Sequence, residues 1–94
     1  MFILSLTYTV ELSEVDRYIA PHMDWVNEGY DRGIFLASGR KNPRTGGVIF
    51  ARGTRVEIEA LVAADPFTIH GVADYEITEV AVTRTAPGLE ALTQ

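Results

Sequence analysis

The stretch Phe2-Ile3-Leu4-Ser5-Leu6-Thr7-Tyr8-Thr9-Val10 sets Phe2, Leu4, Leu6, Tyr8 and Val10 at alternate positions, with Ser5, Thr7 and Thr9 between them. A period of two turns one face of an extended chain toward a core, so residues 2–10 read as the first strand. Glu11-Leu12-Ser13 breaks the alternation. Ser13, with Asp16 three residues later, reads as a helix N-cap with favourable charge in the first turn. The helix that follows carries Val15, Tyr18, Ile19, Met23, Val26 and Tyr30 at three-and-four spacing. Pro21 removes a backbone donor, which predicts a kink or two short helices meeting near Ala20. Gly33 supplies the stop.

Beyond it, Ile34 to Ser38 reads as a second strand, and Gly39 to Gly47 as a polar, glycine-containing loop. Gly47 to Arg52 completes a hairpin, and Gly53 closes it. Thr54 caps a second helix with an apolar side of Val56, Ile58, Leu61 and Val62, which ends at Asp65-Pro66 because the residue before proline avoids helical geometry. Asp74 to Arg84 alternates again, with a shift of phase near Glu79 that predicts a bulge. The order strand, helix, strand, strand, helix, strand predicts an α+β fold. It is the ferredoxin-like βαββαβ arrangement, with a four-stranded antiparallel sheet and both helices on one face. Residues 1–84 form this domain. Residues 85–94 form a C-terminal tail, free or packed on a partner subunit.

A chain of 94 residues leaves much of its surface in water, and the second face of such a sheet is uncovered. A homodimer or higher homo-oligomer is therefore expected. With 47% hydrophobic and 22% charged residues, the composition is that of a soluble globular domain. No apolar run has the length of a membrane helix, so a cytoplasmic protein with no membrane partner is expected. Cysteine is absent, which excludes disulfides and a thiolate nucleophile. The net charge of −5 offers no attraction for nucleic acid. The third strand also brings one aromatic, Phe50, where an RNA-binding sheet stacks bases on two or more.

Chemistry near neutral pH by imidazole has two candidates, His22 and His70. His22 follows Val15 by seven positions and precedes Val26 by four, on the inward stripe of the first helix. One reading makes it a core-edge residue bonded to a carbonyl. The other makes it an acid or base oriented by a carboxylate, with Asp65 as the candidate partner. Asp24 points away, since two residues turn a helix by about 200°. His70 lies in a loop. The hairpin loop gathers Arg40, Lys41 and Arg44 among glycines, a setting either for solvated charge or for a carboxylate or phenolate ligand. Ser38, Gly39 and Arg44 are the candidate substrate-binding residues. Trp25, Tyr30, Tyr8 and Phe50 line a pocket or fill the core. No phosphate loop occurs, and the spacing of His and carboxylates suggests no metal site and no cofactor.

Ala20-Pro21-His22, Gly33 with Phe35-Leu36-Ala37-Ser38-Gly39, Gly46-Gly47-Val48-Ile49 and Asp65-Pro66-Phe67 together resemble the YciI-like (YCII-related) family over Phe2 to Arg84. The resemblance implies a ferredoxin-like fold paired as a dimeric α/β barrel. It also implies an active-site pair at the positions of His22 and Asp65. Where the family commonly has Gly-Pro after the second strand, this chain has Gly39-Arg40. The expected function is a cofactor-independent enzyme of lyase or isomerase type, acting on a small anionic or aromatic molecule through His22 and Asp65. The alternative is a non-catalytic dimeric module that binds a small ligand or a partner in the same cleft.

Overall fold

The computed structural model describes residues 1–93. Strand β1 is Phe2–Tyr8, followed by helices α1 (Leu12–Asp16) and α2 (Ile19–Asp31), and by strands β2 (Phe35–Arg40) and β3 (Gly46–Ala51). Helices α3 (Arg55–Ala64) and α4 (Pro66–Ile69) then lead to β4 (Ala73–Glu79), and Glu90–Thr93 forms a 3-10 turn. The four strands make one sheet in the order β2-β3-β1-β4, antiparallel at every pairing. Helices flank it, as an α+β fold requires.

The dimeric α/β barrel implied by the family resemblance is corrected here. The sheet is open: β2 pairs only with β3, and β4 only with β1. Four strands spaced about 4.8 Å apart enclose too little room for side chains, so a sheet of this size does not close on itself.

Element ends follow from where partners run out. β1 stops at Tyr8 rather than Val10: its last ladder pairs are Thr7 with Gly46 and Tyr8 with Ala73, and beyond them Thr9 still donates its N–H to the Val72 carbonyl. The expected bulge near Glu79 is absent. β4 keeps an unbroken register from Tyr8↔Ala73 to Phe2↔Glu79 and ends there. The irregularity lies instead in β2, between Phe35 and Ala37.

The first helical segment does divide, but at Arg17 and Tyr18. Pro21 is the third residue of α2, where its missing N–H belongs to the groups that lack an intrahelical partner anyway. Ser13 is not the cap; Glu11 holds that place without a side-chain bond. The break resets the phase of the helix. The buried stripe is His22, Trp25, Val26 and Gly29, while Met23 and Tyr30 are exposed. At the end of α2, Gly33 takes φ +71°. Its N–H reaches Tyr30 and that of Ile34 reaches Gly29, which closes the helix with a Schellman motif.

Thr54 caps α3, and with Glu57 it forms a reciprocal capping box. The core between sheet and helices holds Phe2, Leu4, Trp25, Phe35, Ile49 and Ile58. A second cluster of Leu6, Val15, Phe67, Val72 and Ala73 lies toward the end of the sheet where β4 begins.

Gly46 and Gly47 sit where backbones approach closely. A Cβ at Gly46 would overlap the Leu6 carbonyl oxygen, a backbone atom that cannot turn aside, and its φ is +158°. Gly46→Ala is expected to cost about 1–3 kcal/mol, seen as a lower urea midpoint at constant m-value. Gly39→Ala is the matched control, since a Cβ there meets nothing within 4 Å; its change should stay within about 0.5 kcal/mol.

Candidate active site

Asp65 ends one helix and starts the next. Its extended backbone (φ −61°, ψ 128°), imposed by the following proline, makes it the C-cap of α3 and the N-cap of α4. That geometry turns the carboxylate inward, where it is fully buried.

Three donors converge on it. Oδ1 accepts from the Phe67 N–H at 3.0 Å and lies 2.7 Å from His22 Nδ1. Oδ2 accepts from the Tyr75 hydroxyl at 2.5 Å. A buried carboxylate whose two oxygens both accept hydrogen bonds is tolerable, whereas an unpaired one is not.

His22 lies in the first turns of α2 and is buried, at 7% exposure. Its ring stacks on Phe67 at 3.9 Å between centroids and 5° between planes. Trp25 lies beyond it at 5.6 Å. The Trp25 indole N–H donates to the Leu61 carbonyl at 2.9 Å, a group near the end of α3, so α2 and α3 are locked together beside the pair. With an acceptor on Nδ1, that nitrogen carries a proton, and in the neutral imidazole Nε2 is then the nitrogen with the lone pair. Nε2 has no partner among the described residues, and His22 lines a cleft of about 220 Å³.

The cleft walls include Leu6, Tyr8, Ile19, Val26, Ile49 and Phe67, and the polar side is formed by Ser38, Gly39 and Arg40. The structure thus brings His22, Ser38 and Gly39 to one cavity, with Asp65 behind the histidine. Arg44 is placed elsewhere. It bonds Asp16 at 2.6 Å and lies over the Tyr8 ring; that carboxylate bond holds its pKa above the usual value. Ser38 Oγ and Tyr30 hydroxyl are 2.7 Å apart. Phe50 pairs with Ile3 on the sheet face away from the cleft. His70 caps α4 and stacks on Tyr18 at 4.0 Å. A roomier groove of about 380 Å³ between α2 and α3 is lined by Trp25, Val56 and Leu61, and does not include His22. No group of three His, Cys, Asp or Glu side chains is placed to hold a metal ion among the described residues. None of their helices is long and apolar enough to cross a membrane.

Tyr75 is the site residue that sequence reasoning missed. On β4 it reads as one apolar residue of an alternating strand, and only the register with Leu6 carries its hydroxyl to Asp65. Burial, and then the Asp65 charge, push its phenol far above the ordinary range. The unfolded chain releases this proton near pH 10 while the folded chain keeps it. Stability from this group is therefore complete below about pH 10 and falls as pH rises beyond it. Urea unfolding of wild type should lose about 1.4 kcal/mol per pH unit above that point relative to Tyr75→Phe. Parallel profiles would remove Tyr75 from the account.

Residues 1–81 match the family model of the YCII-related domain. No match was found among curated proteins. The matched span contains the whole sheet, both helices of the His22–Asp65 pair and Tyr75, so the chain belongs to the YCII-related domain family.

Proposed function

We propose that the protein is an acid/base enzyme of lyase or isomerase type, needing no cofactor, that acts on a small anionic or aromatic substrate held in the His22 cleft. The observation that carries this reading is the buried His22 Nδ1–Asp65 Oδ1 contact of 2.7 Å, which leaves Nε2 without a partner among the described residues in a side chain that lines the cleft. His22 Nε2 takes a proton from an acidic C–H of the substrate and becomes imidazolium, which Asp65 stabilises. Return of that proton to another carbon gives an isomer. Delivery to a leaving group, as the adjacent bond breaks, gives an elimination. Ser38 and the Gly39 backbone, which line the same cleft, bind the substrate's oxygen atoms.

The test is solvent exchange. Small carboxylic and aromatic compounds are incubated with the protein in D2O, and deuterium incorporation at carbon is followed by NMR. Wild type should label at least one compound, and His22→Asn should not. Saturable binding with no labelling by wild type would make the cleft that of a non-catalytic ligand-binding module.

A further inference from the structure

Resting on the reading of this cleft as a substrate site, we infer that Arg40 is the residue that binds the ligand's charged group, so that the site selects small monocarboxylates with an apolar body. On β2, Ser38 and Arg40 pair with Ile49 and Gly47. Side chains alternate across a strand, so Ser38 and Arg40 share the face that carries the buried Ile49 and looks toward the helices. Both line the cleft.

The cations of this hairpin have different fates. Arg44 is held by Asp16, and Lys41 donates to Thr7 Oγ1 at 3.1 Å. The Arg40 side chain makes no hydrogen bond or ion pair among the described residues. It is exposed, so an incoming anion meets it first. No Asp or Glu side chain is among the residues that line the cleft, although the chain as a whole carries a net charge of −5. Arg40 is thus the one permanently charged side chain among the residues that line the cleft.

A guanidinium presents its donors as a planar fork that matches a carboxylate. Behind it, the walls of Leu6, Ile19, Val26 and Phe67 suit a ring or a short aliphatic body. A cavity of about 220 Å³ admits a molecule of single-ring size. Anchored at Arg40, its body extends along the apolar wall toward His22.

The experiment is an NMR titration of the full chain with phenylacetate, with neutral phenylacetamide and with inorganic phosphate, following the ring protons of His22. Phenylacetate should shift His22 saturably, and the other two compounds should bind more weakly. Arg40→Gln should weaken phenylacetate binding roughly two- to tenfold and leave phenylacetamide unchanged. Arg84→Gln, which removes the same charge outside the sheet, should change neither. Equal phenylacetate affinity in Arg40→Gln, or no His22 shift at millimolar phenylacetate, overturns the assignment. Phosphate binding more tightly than phenylacetate also overturns it. Arg40-dependent binding without deuterium exchange on any compound would sink the acid/base reading and leave this one standing. Exchange that survives in Arg40→Gln with unchanged KM does the reverse.

Discussion

His22→Asn is expected to lower the rate of deuterium exchange or turnover by about 10²–10⁴-fold, the span that a positioned acid or base contributes. Asparagine is chosen because its amide nitrogen falls near the place of Nδ1. It retains a donor for Asp65 Oδ1, which in wild type lies 2.7 Å from that nitrogen. What it lacks is Nε2, the ring nitrogen that has no partner among the described residues in a side chain that lines the cleft. Ligand affinity should stay within a few-fold, so the loss falls on kcat rather than KM. Circular dichroism should show an unchanged fold. A variant with the wild-type rate would exclude His22 from the chemistry, whatever its contacts.

Asp65→Ala is expected to destabilise the fold by about 3–5 kcal/mol, since each buried donor left without its acceptor costs about 1–3 kcal/mol. Three donors lose their acceptor at once: His22 Nδ1–H, the Phe67 N–H and the Tyr75 hydroxyl. The Phe67 bond is also the N-cap of α4, and a cap alone contributes about 1 kcal/mol. A domain of this size has roughly 5–15 kcal/mol in total, so the variant should unfold at markedly lower urea. Asp65→Asn keeps the volume and one acceptor oxygen, and should lose less, about 1–3 kcal/mol. Equal midpoints for Asp65→Ala and wild type would mean that the carboxylate is not buried as the structure has it.

Much of this fold was legible because it is local. The alternation in residues 2–8, the Thr54 cap, the Gly33 stop and the break imposed by Asp65-Pro66 each depend on neighbours in the chain, and each is where the sequence places it. The His22–Asp65 pair was legible for a mixed reason. Periodicity put His22 on the inner stripe, while turn chemistry and the family resemblance pointed to Asp65. The misreadings are non-local. The end of β4 at Glu79 is set by where β1 begins, at Phe2, the buried stripe of α2 by a break at Arg17 and Tyr18, and the open sheet by strand pairing that no residue pattern records. Tyr75 was hidden because a tyrosine on an alternating strand looks the same whether its hydroxyl meets water or Asp65. Arg44 stood out as a loop cation, yet its bond to Asp16 spans 28 positions, beyond the reach of any local pattern.

The chain contains a single tryptophan, and Trp25 is buried at 8% exposure with its ring 5.6 Å from His22. Its indole N–H is tied to the α2–α3 contact. Intrinsic fluorescence from this protein therefore comes from one emitter placed against the candidate active site. Unfolding exposes the indole to water, so the emission maximum follows the fold, while a change beside the imidazole alters the intensity, and both can be read from one unlabelled sample.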